Sequence, residues 1–184
     1  MTTFVRSIAL AVLALGLAAF QPAAAASPDD TLVLDLATGQ VTIELRPDLA
    51  PNHVARIKEL VRKGFYNGTP FHRVIAGFMA QGGDPTGTGT GGSGVRLRAE
   101  FSAEPFVRGV MGMARSASPD SADSQFYIML GSAPHLDGKY TVVGKVIEGM
   151  DSVDRIKKGD PGEGGVVSKP DILIRAQIQS DIRK

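Results

Sequence analysis

The stretch Phe71-His72-Arg73-Val74-Ile75-Ala76-Gly77-Phe78-Met79-Ala80-Gln81-Gly82-Gly83-Asp84 places a charged residue inside an apolar run. A run of this kind is typical of a buried strand, and buried strands rarely carry an unpaired arginine. Arg73 is therefore either paired or reaching towards solvent, or it lines a site. The stretch alone leaves these interpretations open.

The bulk composition narrows the function classes. The chain has 184 residues, a formal net charge of +1, 22 glycines and no cysteine. This length indicates one domain plus a short extension. The absence of cysteine excludes disulfides, thiol catalysis and thiolate metal sites. Without a basic block, neither nucleic acid nor an anionic membrane is expected as the main partner.

Residues 1–26 have the pattern of a secretory signal. Arg6 is their only charge, an apolar run follows from 8 to 20, and the segment ends in alanines 23–26. The apolar run is too short for a membrane-spanning helix, which needs roughly 20 residues. We expect export to the periplasm and a mature domain of residues 27–184. A retained anchor and full secretion are the alternatives.

The pattern of apolar residues along the mature chain predicts a mainly β fold. Alternating residues at 32–36 and 41–45 predict a hairpin, and Pro51 opens a helix that Gly64 ends. Asp137-Gly138 is a further hairpin signal. Further strands are predicted at 109–114, 125–130 and 140–147, and a second short helix is predicted at 150–159. A last strand is predicted where Ile172, Ile174, Ala176 and Ile178 alternate with other residues. The absence of a βαβ rhythm indicates a closed or nearly closed antiparallel barrel with two helices.

Several common site types are poorly supported. Residues 87–92 match the dinucleotide fingerprint G-x-G-x-x-G, but no helical pattern follows, so we expect an ordinary loop. The histidines, His53, His72 and His135, form no metal-binding motif, and His72 is expected to be a structural, hydrogen-bonded residue. Spacing alone leaves a paired-carboxylate glycosidase open, although no motif indicates one. A site without an obvious nucleophile suits a reaction that breaks no covalent bond.

The stretch 71–84 resembles the signature of the cyclophilins, which are peptidyl-prolyl cis-trans isomerases. Three further segments agree in family order, at 109–114, 124–128 and 136–146, and the resemblance covers about residues 30–182. It implies a closed eight-stranded antiparallel β-barrel capped by two α-helices. It also implies an enzyme that needs no cofactor and no metal.

The resemblance implies a role for each matching residue. Arg73 would be the main catalytic residue, assisted by Gln81. Phe78, Met79, Tyr127 and Leu136 would form the proline pocket, Ala114 and the Arg115 backbone would bind the residues before proline, and Gln125, His135 and Tyr140 would complete the substrate site.

The chain departs from the common family pattern at four site positions. Tyr127 stands where phenylalanine is common, His135 where tryptophan often occurs, Tyr140 in place of histidine and Arg115 in place of asparagine. Because tryptophan at the His135 position favours cyclosporin, we expect retained catalysis but only weak cyclosporin binding. The expected partners are proline-containing peptides and folding polypeptides, and the expected state is a monomer. The rival hypothesis is a non-catalytic chaperone or scaffold of the same fold, and the retained arginine favours the enzyme.

Overall fold

A computed structural model describes residues 26–182. The predicted export signal therefore lies, apart from Ala26, outside the described residues. Within residues 26–182, no helix is long and apolar enough to cross a membrane.

The first two strands form the predicted hairpin. Strand β1 (Thr31–Leu36) pairs antiparallel with β2 (Gly39–Leu45), and their register runs from Thr31 opposite Glu44 to Leu36 opposite Gly39. The alternating leucines of β1 and the apolar residues of β2 are buried. The hairpin prediction is confirmed.

Helix α1 (Pro51–Arg62) follows, with Pro51 in its first turn as predicted. Its buried face carries His53, Val54, Ile57, Leu60 and Val61. Gly64 follows the last turn with φ +68°, a conformation that glycine adopts without strain. The first turn has no side-chain cap from its own N-cap residue, Ala50.

The remaining strands complete one curled sheet. They are β3 (Thr69–Pro70), β4 (Arg73–Ile75), β5 (Met79–Gly82), β6 (Val110–Met113), β7 (Phe126–Met129), β8 (Val142–Glu148) and β9 (Ile172–Ile178); α2 spans Met150–Asp154. The sheet order is β3-β9-β1-β2-β8-β6-β7-β5-β4, and every pairing is antiparallel. Residues 26–182 also contain five short 3-10 helices, one before β1 at Pro28–Asp30 and the others at Pro119–Ser121, Pro134–Leu136, Pro161–Glu163 and Gln179–Asp181.

The expected closed barrel of eight strands is not confirmed. The described sheet has nine strands, and its end strands β3 and β4 share no ladder. The backbone from 71 to 74 bonds instead to the irregular segment 165–171: Phe71 N donates to Asp171 O, Val74 N donates to Gly165 O, and His72 O accepts from Val167 N. A loop thus occupies the place where a closing strand pair would lie.

The hairpin predicted at Asp137-Gly138 was wrong for a topological reason, and the predicted final strand forms as β9 but with an irregular buried face. The turn at Asp137-Gly138 forms, with Gly138 at φ +67°, but it joins no hairpin, because β6 lies between β7 and β8 in the sheet. In β9, Ile172 and Ile174 are 43% and 56% exposed, whereas Leu173, Ala176 and Ile178 are buried. A register shift opposite Asp35 and Leu36 breaks the alternation.

Candidate active site

A cleft of about 310 Å³ lies on the outer face of the β4–β5–β7 part of the sheet. It gathers all the site residues predicted from the sequence except Gln125 and His135. Its lining consists of His72, Arg73, Phe78, Met79, Gln81, Gly87, Thr88, Gly89, Ala114, Arg115, Tyr127, Leu136, Tyr140 and Val166.

Arg73 is oriented by two hydrogen bonds. Its Nε donates to the Gly164 carbonyl at 2.9 Å, and its Nη1 donates to Gln81 Oε1 at 3.3 Å. Within residues 26–182 it forms no salt bridge, and no hydrogen bond uses Nη2. The guanidinium therefore enters the cleft as a positioned cation with donor capacity left over, rather than as a partner in a surface ion pair.

A chain of amide side chains continues from Arg73. Gln81 Nε2 donates to Gln125 Oε1 at 2.9 Å, and Gln125 Nε2 donates to the carbonyls of Gly89 and Gly91 at 3.0 and 2.8 Å. Gln125 lines a neighbouring cleft of about 390 Å³ instead of the main one. Its contacts tie the glycine-rich loop to the strand that carries Gln81.

The glycine-rich loop is folded around a buried carboxylate. Asp84 accepts hydrogen bonds from the backbone N–H groups of Thr86, Gly89 and Gly91 at 2.7–3.1 Å. Burial alone would raise the pKa of Asp84, but these bonds and the Thr86 hydroxyl hold it below its usual value. The carboxylate occupies the N–H groups that a phosphate would need, which agrees with the expectation of an ordinary loop.

The apolar part of the cleft is a second hydrophobic cluster, separate from the main core. Met79, Tyr127 and Leu136 are buried in it, and Phe78 packs against it from the rim. Phe106 lies behind them, with its ring centroid 5.8 Å from that of Tyr127. The cluster forms a floor of the size and polarity that suit a small apolar ring.

The aromatic side chains of His135 and Tyr140 lie at the rim of the cleft. The His135 ring lies 5.8 Å from the Phe78 ring at an interplanar angle of 32°, so His135 supports the pocket from outside. The Arg115 guanidinium lies 4.4 Å above the Tyr140 ring and donates through Nη2 to the Lys139 carbonyl at 2.9 Å. Arg115 thereby fixes Tyr140 at the mouth of the cleft.

The expected hydrogen bond of His72 is not of standard geometry, and among the described residues only the Pro70 backbone approaches the ring as a hydrogen-bonding group. The residue is buried, and neither ring nitrogen has a partner of standard geometry within residues 26–182. Burial lowers the pKa of His72, and the nearby Asp84 carboxylate and the Pro70 backbone offset this only in part. The ring is therefore neutral near pH 7 and adds no second positive charge beside Arg73.

The Tyr127 hydroxyl is also buried without a partner among residues 26–182. It points towards Gly112 in β6, where an added Cβ would lie only 2.7 Å from the hydroxyl oxygen. Burial raises the pKa of Tyr127, so the hydroxyl stays protonated. Gly112 makes the room that a tyrosine needs at this position.

We expect Tyr127→Phe to raise the free energy of unfolding by about 1 kcal/mol, because an unsatisfied buried hydroxyl costs about 1–3 kcal/mol. The apolar floor of the cleft keeps its shape, so kcat/KM should change less than about twofold. Urea unfolding measures the stability, and an assay of the isomerisation that the resemblance implies measures kcat/KM. A loss of stability above 1 kcal/mol would show that the hydroxyl has a partner in solution.

Several contributors to the site were not predicted, among them Phe106, the Gly164 carbonyl, Val166, and the lining residues His72, Gly87, Thr88 and Gly89. Phe106 lies in an irregular segment where no periodicity marks it, and the Gly164 carbonyl belongs to the backbone, which sequence patterns do not identify. Val166 is 57% exposed on a loop about ninety residues after Arg73. The glycine pair before Val166 indicates a turn but not its position.

The side chains of the cleft can donate hydrogen bonds and bind an apolar group. Within the described part of the chain, no serine hydroxyl is hydrogen-bonded to a histidine, and no three His, Asp or Glu side chains converge as a metal site would require. A positioned guanidinium beside an apolar pocket can bind a chain segment and stabilise a change of charge distribution without covalent chemistry.

Comparison with known proteins gives one family. Residues 31–178 match the family model of cyclophilin type peptidyl-prolyl cis-trans isomerases. A probable peptidyl-prolyl cis-trans isomerase of Brucella suis is 55% identical, with 98% of this chain and 100% of the relative covered. A peptidyl-prolyl cis-trans isomerase of Helicobacter pylori is 47% identical over 71% of this chain and 82% of the relative.

Solved structures agree with this assignment. The cyclophilin AquaCyp293 from Hirschia baltica superposes with a TM-score of 0.77 at 31% identity, covering 86% of this chain and 77% of that chain. A cyclophilin type isomerase from Cryptosporidium parvum, crystallised in the presence of the dipeptide Ala-Pro, gives 0.74 at 30% identity, covering 80% and 98%. The chain belongs to the cyclophilin-type peptidyl-prolyl cis-trans isomerases, and the reaction it catalyses is rotation about X-Pro peptide bonds.

Proposed function

We propose that this isomerase acts on exported polypeptides as they fold, with Arg73 as the catalytic donor. The observation that carries the residue assignment is the Arg73 guanidinium, which is held by Gly164 and Gln81 at the edge of the apolar cleft with Nη2 left for a substrate. The export pattern of residues 1–26 supports the choice of client proteins.

A single hydrogen-bond donor can catalyse this reaction because of the way the X-Pro bond rotates. An X-Pro bond resists rotation because the nitrogen lone pair is delocalised into the carbonyl, with a barrier of roughly 18–20 kcal/mol. In the twisted transition state the lone pair returns to nitrogen and can accept a hydrogen bond. Arg73 would donate to it only in that state, so the bond lowers the barrier instead of merely strengthening binding.

The pocket supplies the remaining acceleration by holding the proline ring still while the preceding carbonyl turns. Met79, Tyr127, Leu136 and Phe78 provide the apolar contact for that ring. The segment before proline would lie along Ala114 and the Arg115 backbone, which follow β6 directly. The Ala-Pro dipeptide present with the Cryptosporidium parvum relative is a ligand of the same class.

A refolding experiment tests the role in folding. An exported substrate protein whose refolding is limited by proline isomerisation should refold faster when the purified protein is added, and the Arg73→Ala variant should lack most of this effect. The rival hypothesis, a chaperone that only holds proline segments, predicts less aggregation without any faster refolding, and that result would contradict our proposal.

Cell fractionation tests the location. A tagged copy of the full chain should be released with the periplasmic contents as a species shortened by about 26 residues at its N-terminus. Recovery of the full-length chain from the cytosol would contradict export. We also propose a monomer, and sedimentation of the purified protein measures this directly.

We expect cyclosporin to inhibit the enzyme weakly. His135 is an exposed imidazole where a large apolar surface would contact the inhibitor, and Arg115 and Tyr140 occupy the neighbouring rim. His135→Trp should tighten inhibition about tenfold, because an aromatic anchor at a binding surface contributes in the range of 1–3 kcal/mol. An inhibition constant already in the low nanomolar range for the unmodified protein would contradict this prediction.

A further inference from the structure

The segment that follows the 3-10 helix Pro161–Glu163 contributes the Val166 side chain to the cleft. Val166 forms an isolated antiparallel bridge with Arg73, on the side of β4 away from β5. Directly opposed residues of an antiparallel pair project to the same face, with their Cβ atoms about 4.5–5.5 Å apart. Val166 therefore stands beside the Arg73 side chain on the cleft face, and it is 57% exposed there.

The strand order places Val166 opposite the Ala114 side of the cleft. Moving across the sheet, β6 with Ala114 at its end is followed by β7, β5 and β4, and then by the Val166 segment. Four interstrand steps of about 4.8 Å span at most about 19 Å, the length of roughly six extended residues. Met79 and Tyr127, which lie on β5 and β7, occupy the middle of this span.

The loop that carries Val166 is fixed relative to Arg73. Gly164 O accepts from Arg73 Nε, and Gly165 O accepts from Val74 N at 2.8 Å. Gly165 also packs so tightly that an added Cβ would lie 2.3 Å from the Ile75 side chain. An exposed valine on a loop held this closely is a preformed surface, because little conformational freedom is left for it to lose on binding.

We infer that Val166 is a specificity-determining residue that contacts the side chain of the residue following proline, and that it favours apolar residues there. The inference rests on the proposed function, in which the residues before proline lie along Ala114 and Arg115. When proline occupies the pocket formed by Met79 and Tyr127, the next residue of the peptide lies beyond Arg73, beside the segment that carries Val166. That segment offers an uncharged valine side chain.

Two peptide series test this. One varies the residue after proline between phenylalanine and glycine, and the other varies the residue before proline in the same way. We expect the unmodified protein to show a kcat/KM about fivefold higher for phenylalanine than for glycine after proline, less than the roughly tenfold that a methylene contributes in a closed pocket. In Val166→Ala and Val166→Thr this ratio should fall below about twofold, through KM rather than kcat, because the contact exists in both ground and transition states.

Ile174→Ala is the matched control, since Ile174 is a similarly exposed β-branched residue outside the cleft. It should keep the phenylalanine preference. An unchanged preference in both Val166 variants, or a change confined to the series before proline, would overturn the inference. A protein inactive on every peptide would overturn the proposed function and this inference together, a result distinct from an active protein whose preference ignores Val166.

Discussion

Replacing Arg73 with alanine should lower kcat/KM for prolyl isomerisation about a hundredfold. A hydrogen bond from a charged donor contributes about 1.5–3 kcal/mol, and each 1.36 kcal/mol corresponds to a tenfold change in rate. The side chain is at the surface of the cleft and carries no salt bridge among the described residues, so its removal should leave the fold intact. Exchange spectroscopy on a proline peptide measures the rate, and urea unfolding checks stability.

Arg73→Lys separates charge from geometry. Lysine keeps the positive charge but cannot donate to Gly164 O and Gln81 Oε1 and still present a third, fixed donor to the substrate. We expect a loss of about tenfold or more for this variant as well. Full activity in Arg73→Lys would show that a diffuse positive field suffices, and an Arg73→Ala variant within threefold of the unmodified rate would contradict the catalytic role.

Local sequence patterns predicted the elements that are stabilised locally. The β1–β2 hairpin and α1 each carry their own alternation, turn or terminal glycine, so short-range interactions specify them. The errors concern interactions between distant segments. The alternation of β9 is interrupted opposite Asp35 and Leu36, and the sheet stays open because the backbone of 71–74 bonds to the irregular segment 165–171. Neither leaves a periodic signal in the chain.

The same distinction between local patterns and contacts of distant segments applies to the candidate site. Arg73, Met79, Tyr127 and Leu136, which the resemblance assigned to one site, line one cleft, since the blocks that carry them form adjacent strands and a neighbouring turn. It placed Gln125 in the same site, whereas Gln125 lines the adjoining cleft. The Gly164 carbonyl could not be predicted, because any residue supplies a carbonyl and only the folded loop determines where it points.

A second large effect is expected at Glu100, which caps α1 from a distant loop. Its carboxylate accepts from Asn52 N and His53 N at 3.1 Å each, from Asn52 Nδ2 at 2.7 Å and from His53 Nδ1 at 2.7 Å. These backbone donors belong to the first turn of α1, which has no cap of its own, and His53 is completely buried. Glu100 N also donates to Thr141 Oγ1 at 3.0 Å, so this residue connects α1 to the start of β8.

We expect Glu100→Ala to lower the free energy of unfolding by about 3 kcal/mol at pH 7. Hydrogen bonds to a charged group contribute about 1.5–3 kcal/mol each, but the four bonds are not additive, and water can reach the backbone donors at the start of the helix. The buried His53 ring would lose its described partner. Glu104→Gln is the control on the same loop, and it should change stability by less than about 0.5 kcal/mol because its carboxylate has no hydrogen bond among the described residues.

The pH dependence distinguishes a charged cap from a packing effect. Burial by itself raises the pKa of Glu100, but the bonds from His53 and Asn52 outweigh it and hold the pKa below its ordinary value of 4.5. A carboxyl with a lowered folded pKa stabilises the fold fully above its unfolded pKa, and this contribution is lost as the pH falls through the folded value. The stability difference between the unmodified protein and Glu100→Gln should therefore be constant from pH 8 to about pH 5 and shrink below about 4.5. Urea unfolding at each pH measures it, and a difference that persists unchanged at pH 3 would show that packing, and not the carboxylate charge, is what Glu100 contributes.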